Sequence, residues 1–267
     1  MRERTAMEVE IENRVQEQFG RTAGDYTQSR VHSDPDALNK IVTLAQVRPG
    51  DVALDIATGA GHVAMALAPR IAKVIAYDLT EEMLQETQRN AAARGLSNIT
   101  TKRGKAEQLP FPDGTFDVVT VRQAPHHFGD IQSAIREMAR VAKEGARIVI
   151  VDSYAPDDPI LDRQWNHIEK LRDPSHVRNY TPREWRELVS SAGLRITFEE
   201  LDHCTENGRP MNFVEWTRRM KTPPSTVDEL VRLFSTASSE LRELLRVETA
   251  DGEIKFCVPQ ITIVALR

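Results

Sequence analysis

Two carboxylates stand where apolar runs give way to turns. Asp55 lies in Val52-Ala53-Leu54-Asp55-Ile56, and Asp78 follows Val74-Ile75-Ala76-Tyr77. Behind the first comes Ala57-Thr58-Gly59-Ala60-Gly61, where Gly59 and Gly61 let the backbone approach a ligand and present amide hydrogens to it. Gly59 to Ala64 matches the dinucleotide fingerprint G-x-G-x-x-G/A, and Asp78 lies where a ribose-binding acid belongs. A carboxylate within so apolar a run must be hydrogen-bonded. It suits a ligand with an ammonium group or donors close to the turn, and it would repel a pyrophosphate. The competing structural roles are a strand-end cap for Asp55 and a helix cap for Asp78.

A second group could move protons. His126 and His127 follow a strand-like run, and imidazole titrates near neutral pH. A histidine pair with no third ligand at suitable spacing does not make a zinc site, so no metal is expected; helix capping or packing is the alternative. Arg172, His176 and Arg178 crowd a polar stretch that could contact substrate or be a solvated loop. Trp216, with Phe213 and Met220 at helical spacing, could line a substrate pocket or form a local core. Tyr26 is a candidate contact across the cleft, against plain packing.

The elements that must position these groups can be read from period and punctuation. Ile11, Val15 and Phe19 predict a helix ending near Gly20, with Tyr26 just beyond it. Ser33 or Asp34 can cap a second helix, with Pro35 in its first turn. From Val52 strands and helices alternate: strand 52–56, helix to about Pro69, strand 74–77, a helix opened by Thr80 and closed by Gly95, and strands near 99–102 and 116–121. A helix 131–142 and a strand 146–152 continue the series. Such alternation implies right-handed crossovers and a parallel sheet covered on both faces. A helix across 161–171 follows, and Thr181-Pro182-Arg183-Glu184 reads as a capping box ahead of an apolar stripe that ends at Gly193. A strand 194–201, a helical insertion, an Asp251-Gly252 turn and a terminal strand 261–266 complete the chain. The expected division is an N-terminal helical cap (1–48), a core (49–207), a helical insertion forming a substrate lid (208–249) and terminal strands completing the core sheet (250–267).

Bulk properties narrow the function. The 267 residues can bury a sizeable core. The net charge of -5 gives no electrostatic reason to expect nucleic acid or a membrane surface. No run approaches a membrane span. Cys204 and Cys257 lie far apart in no metal-ligand spacing, so two buried thiols in a reducing, cytoplasmic setting are expected. No exposed apolar repeat marks an interface, which leaves a homodimer open.

The bare fingerprint fits an NAD-dependent oxidoreductase or a non-catalytic nucleotide-binding module, but Asp55 ahead of the turn and the missing second mononucleotide-binding half tilt away from a dinucleotide. At these residues the chain resembles the class I S-adenosylmethionine-dependent methyltransferases, within them the ubiquinone/menaquinone-biosynthesis C-methyltransferase-like branch. Asp55-x-Ala57-x-Gly59-x-Gly61 looks like the first family motif, with Ala57 in place of its first glycine. Tyr77-Asp78-Leu79-Thr80-x-x-Met83 resembles the second, whose acid accepts from both ribose hydroxyls. Gly104-Lys105-Ala106-Glu107 resembles the stretch around the adenine, with Lys105 where the family has aspartate. Arg122-Gln123-Ala124-Pro125-His126-His127 would lie beside the methionine moiety and the methyl group. The resemblance implies an α/β, Rossmann-like fold with a seven-stranded, mostly parallel sheet, an antiparallel last strand and a helical cap. It further implies S-adenosyl-L-methionine as cofactor, S-adenosyl-L-homocysteine as product, and C- or O-methylation of a small molecule. Tyr26, Asp55, Ala57, Gly59, Gly61, Asp78, Leu79, Met83, Lys105, Ala106, Glu107 and Arg122 are then the cofactor candidates, and His126 and His127 the catalytic ones. Displacement at a methyl carbon needs alignment in a dry pocket and no metal; a base is useful only when the nucleophile must lose a proton.

Overall fold

The computed structural model describes residues 6–27, 30–204 and 210–267, the side chains of 8, 25–27, 30 and 31 excepted. Helices α1 (Ala6–Thr27), α2 (Arg30–Ser33) and α3 (Pro35–Leu44) precede the sheet. The first runs past Gly20, contrary to the expected stop. A lone glycine weakens a helix by only about 1 kcal/mol, and α1 is anchored beyond it: the Lys221 ammonium donates to the Arg21 carbonyl at 2.8 Å. Of the two caps open for α3, Asp34 is used, its carboxylate accepting from the Asp36 and Ala37 amides.

The alternation then appears as β1 (Val52–Ile56), α4 (His62–Leu67), β2 (Lys73–Asp78), α5 (Glu81–Ala93), β3 (Ile99–Arg103), β4 (Phe116–Arg122), α6 (Ile131–Val141) and β5 (Ala142–Ser153). After it come α7 (Pro159–Arg172), α8 (Pro182–Ser191) and β6 (Arg195–Asp202), and last β10 (Gln260–Leu266). Both halves of the capping box form: the Thr181 hydroxyl accepts from the Glu184 amide at 3.2 Å, and Glu184 accepts from the Thr181 amide at 2.8 Å. The strands make a seven-stranded sheet, β3-β2-β1-β4-β5-β10-β6, in which β10 alone runs antiparallel to its neighbours. Strand order reverses between β1 and β4, where open α/β sheets offer a crevice at the strand ends. One face packs under α6 and α8 through Ile135, Met138, Trp185 and Val189, the other under α3 and α4 through Ile41, Val42, Val63 and Leu67.

The segment between β6 and β10 builds its own small core. β7 (Met211–Asn212), α9 (Phe213–Arg219), α10 (Pro224–Ser235), α11 (Ser239–Leu244), β8 (Glu248–Ala250) and β9 (Glu253–Phe256) gather with α7 around Trp165, Phe213, Trp216, Phe234 and Phe256. The expectation that 250–267 completes the core sheet needs correction: β9 pairs with β7 and β8 in a separate three-stranded sheet, and only β10 joins the large one. The expected 207/208 boundary lies outside the described residues.

The cysteines are not two thiols. Cys204 and Cys257 form a disulfide across a separation of 53 residues. Pairing of Asp202 with Gln260 in the β6–β10 ladder brings the end of one strand beside the approach to the other, a proximity that spacing along the chain does not reveal. Chain-entropy reasoning gives such a loop about 4 kcal/mol at most. Reduction should therefore lower the midpoint of thermal unfolding by up to about 7 °C. Intact mass after alkylation checks the bond itself, and two sites labelled without prior reduction would contradict it.

Candidate active site

Asp55 is made by register. In the parallel pairing of β1 with β4 it sits beside Thr120. The Thr120 hydroxyl donates to Asp55 Oδ1 at 2.7 Å and the Thr58 hydroxyl, one turn on, to Oδ2 at 2.6 Å. Burial pushes the carboxyl up to about 6, although both hydroxyls and the Ala64 amide oppose it; the charge of Asp78 adds to the rise. Asp78 accepts from the Gly59 amide at 2.9 Å and the Thr80 amide at 2.9 Å, and burial likewise carries it up to about 6. Two buried carboxylates above their ordinary range, hydrogen-bonded to hydroxyls and amides, suit a ligand that brings positive charge or donors.

Both line one cavity of about 1040 Å³ counting its open mouth. Of the cofactor candidates, Ala57, Gly59, Leu79, Met83, Lys105, Ala106, Glu107 and Arg122 line it too. Gly59 has φ +56° and open space where a side chain would begin, so a ligand can reach its backbone. Gly61 is different: it does not line the cavity, and a Cβ there would press to 2.8 Å from Thr87 on α5. Its smallness lets α5 pack on the turn. The side chain of Tyr26 lies outside the described residues. Gly104, at the head of the stretch that continues with Lys105, abuts Tyr77 so closely that any side chain would overlap the phenol.

Ala57 holds φ +51°, the left-handed region where a Cβ costs about 1–2 kcal/mol. Glycine at this position should raise the unfolding midpoint by about 2 °C, after its greater freedom in the unfolded chain is subtracted. An unchanged or lower midpoint for Ala57→Gly would show that the turn stores no such strain.

Lys105 leaves the site chemistry to others. Its ammonium donates to Glu12 of α1 at 3.2 Å, so it fastens that helix over the cavity, which α1 also lines through Ile11, Val15 and Phe19. Glu107 sits on the wall with Oε1 accepting from the Gly129 amide at 3.1 Å, and burial raises its pKa. Arg122 donates to the His32 carbonyl at 2.8 Å, and burial draws its pKa down to about 10.

A second, smaller cavity of about 550 Å³ counting its mouth adjoins the first, sharing His32, Gln123 and His127. His126, Arg172 and Trp216 line it, with Ser153, Glu169, Met211, Arg219 and Val258. His126 Nδ1 lies 2.6 Å from Asp152 Oδ1, and the Asp152 Oδ2 accepts the His126 amide at 2.9 Å. Burial opposes the charged ring, but the charge and hydrogen bond of Asp152 outweigh it, and the pKa of His126 is raised. His127 is the opposite case: burial, with His126 beside it, takes it down to about 3, so it is neutral. Its ring packs edge-on to Phe19 at 5.0 Å and lies 3.2 Å from the Ser175 hydroxyl.

Two expected substrate residues are elsewhere. Arg178 bridges Asp162 at 3.1 Å and Glu184 at 3.0 Å, tying α7 to α8, and lines neither cavity. His176 is buried with Nε2 3.1 Å from Asn166 Oδ1, also off both walls. Their loop acts indirectly: the Val177 and Arg178 amides both donate to the His126 carbonyl, at 2.8 and 3.1 Å. Asp152, which had not been singled out, closes the apolar run of β5 as Asp55 interrupts that of β1, so the same pattern marks it. Thr120, Glu12 and Arg219 carry no such local mark.

Among the described residues no group of three His, Cys, Asp or Glu could hold a metal ion, and no helix is long and apolar enough to cross a membrane. The methyltransferase-domain family profile matches residues 54–150. The chain is 35% identical over 251 residues, 93% of its length and 97% of the relative's, to the uncharacterized methyltransferase YcgJ of Bacillus subtilis. It is 34% identical over 164 residues, 55% of this chain and 62% of the relative, to the demethylmenaquinone methyltransferase of Symbiobacterium thermophilum. The crystal structure of the Bacillus YcgJ protein superposes with a TM-score of 0.80 over 87% of this chain and 98% of that one. A relative of this similarity along nearly its whole length, on a sheet that carries Asp55 at its reversal point and Asp78 at the end of the neighbouring strand, sets the oxidoreductase reading aside: the chain belongs to the class I S-adenosylmethionine-dependent methyltransferases.

Proposed function

We propose that this chain binds S-adenosylmethionine in the larger cavity and methylates a small molecule held in the adjoining one. The observation that carries the reading is the pairing of the two cavities: one walled by Asp55 and Asp78, the other by the His126–Asp152 pair, with His127 and Gln123 common to both. The cofactor fits what the first wall offers. Gly59 leaves room for a ligand against the backbone, Asp55 would face the ammonium of the amino-acid end, and Asp78 would accept from the ribose hydroxyls. With Lys105 turned to Glu12, Glu107 and the backbone of Lys105 and Ala106 are left to hold the base. When bound, the cofactor supplies an electrophilic methyl group on a sulfonium.

The protein's part is alignment, dryness and a base. Gln123 follows β4 with φ +49°, a strained conformation of the kind that collects at functional sites, at the junction of the cavities. His126, held in place by Asp152, would take a proton from an acidic carbon or a hydroxyl of the acceptor. A ubiquinone/menaquinone biosynthesis C-methyltransferase is among the relatives, and that name favours carbon. The lid is formed by α1 together with the 210–258 segment, joined by the buried hydrogen bond from Gln18 Nε2 to the Met220 carbonyl at 2.9 Å. The expectation of a cytoplasmic setting loses one support, since the cysteines it took as free thiols are bonded.

The test is transfer of a labelled methyl group from S-adenosylmethionine into a metabolite extract, with products identified by mass spectrometry. Labelled product is expected with the wild type and far less with Asp78→Asn at the same subsaturating cofactor concentration. Equal labelling in both would remove Asp78 from the reading.

A further inference from the structure

The smaller cavity carries an excess of buried donors. Arg172 is 9% exposed, with its guanidinium carbon 4.7 Å from the centre of the fully buried Trp216 ring. Its Nη1 lies 3.4 Å from Glu169 Oε2, but its Nε has no hydrogen-bond partner, and neither has Trp216 Nε1. Orphan indole nitrogens alone would mark nothing, because Trp165 and Trp185 have them too and line neither cavity. A guanidinium N–H buried without an acceptor is another matter. Leaving such a donor unmade is costly, more so for a charged group, and here the guanidinium lies over the ring that carries a second orphan donor, both residues lining one cavity.

Arg172, Arg219 and one acid, Glu169, line this wall; Asp173, just off it, also acts on Arg172 and His127, and Asp152 holds His126. His32, on the same wall, is held well below its ordinary pKa, first by burial and then by Arg219 and Arg122. Met211 and Val258 supply apolar lining beside the Trp216 ring.

Resting on the reading of this cavity as the acceptor's, we infer that the methyl acceptor is a small molecule bearing an anionic oxygen group, a carboxylate or a phosphate, that accepts from Arg172 and Trp216. Its apolar body lies against Met211 and Val258, and the anionic group sets the distance between the reacting atom and His126. A neutral quinone ring offers this wall carbonyl acceptors but no negative charge to meet the guanidinium.

The experiment follows thermal unfolding of the full chain with benzoate, phenyl phosphate or neutral benzamide, each with and without S-adenosylhomocysteine. At least one anion should raise the midpoint with rising concentration where benzamide does not, and which anion does so separates carboxylate from phosphate. Trp216→Phe, which keeps a ring and removes the N–H, and Arg172→Met should each raise the half-maximal anion concentration roughly tenfold with S-adenosylhomocysteine protection retained. If Arg172→Met does not fold, Trp216→Phe carries the comparison. Benzamide protecting as well as the anions, no protection by either anion at its solubility limit, or undiminished protection in the variants overturns the inference. Anion protection with none from S-adenosylhomocysteine would instead sink the cofactor reading and leave the anion site standing. Labelled products from the extract should bind an anion-exchange resin; labelled product only in the flow-through overturns the inference while methyl transfer stands.

Discussion

Asp78→Asn should weaken S-adenosylhomocysteine binding by about 100-fold in calorimetry, with the fold retained. Two hydrogen bonds from ribose hydroxyls to a carboxylate contribute about 1.5–3 kcal/mol each, and asparagine keeps one acceptor while losing the charge. The fold should survive because asparagine can still accept from one of the two amides, Gly59 or Thr80, that the native carboxylate holds. Alanine would orphan both, so it is the poorer test.

The pH dependence follows from the same burial. Asp55 and Asp78 sit near 6 in the folded protein, above their ordinary 3.8. A raised carboxyl pKa stabilises the fold below the unfolded value and that contribution is lost as pH rises through the folded one. The ligand-free protein should therefore gain stability from these groups on acidification from about 6 towards 4. A cationic, donor-rich cofactor prefers the ionised carboxylates, so its affinity should fall over the same interval. Affinity that is flat through pH 6, or unchanged in Asp78→Asn, would take the cofactor away from these carboxylates.

The second large effect is on turnover. His126→Asn should reduce kcat by two to four orders of magnitude, the usual worth of a general base, and leave S-adenosylhomocysteine affinity unchanged because His126 lines only the smaller cavity. A base works unprotonated, so the wild-type rate should rise with pH through a value above 6.5, the direction in which Asp152 moves His126. Asp152 is a positioning residue. Asp152→Asn should bring that inflection down, since the main opposition to burial is then removed and only the more distant charges of Glu169 and Asp173 remain, whereas a merely structural loss would lower the rate at every pH and leave the inflection in place. The linkage to stability has the same sign: the raised His126 pKa stabilises the fold below about 6.5 and the contribution disappears as pH rises through the folded value. A full rate in His126→Asn would mean that the acceptor needs no base, as when its nucleophile carries a free lone pair.

Much of the fold was legible because its signals are local. The strand Val52–Ile56 was read with its observed limits, since Pro49-Gly50 and the glycine turn punctuate an apolar run too short for a helix. The Thr181 capping box formed as spacing demanded, because its bonds span only three residues. Most of the wall of the larger cavity was legible for the same reason, its residues falling just after strands whose ends a parallel sheet must gather along one edge. Glu12, His32 and Arg219 were not legible, being brought in by helices that touch the site from far along the chain.

By itself, then, the sequence determined the alternation of strands and helices, the acids at strand ends and the glycine-lined turn, all encoded by period, caps and composition over a few residues. Only the tertiary structure decided which side chains meet. Register set Thr120 beside Asp55, and the β6–β10 ladder brought Cys204 to Cys257. Packing of α7 against α8 took Arg178 into ion pairs away from both cavities, while Arg172 stayed beside Trp216. Partnerships of that kind depend on register and packing between segments distant along the chain, and no local pattern of residues carries them.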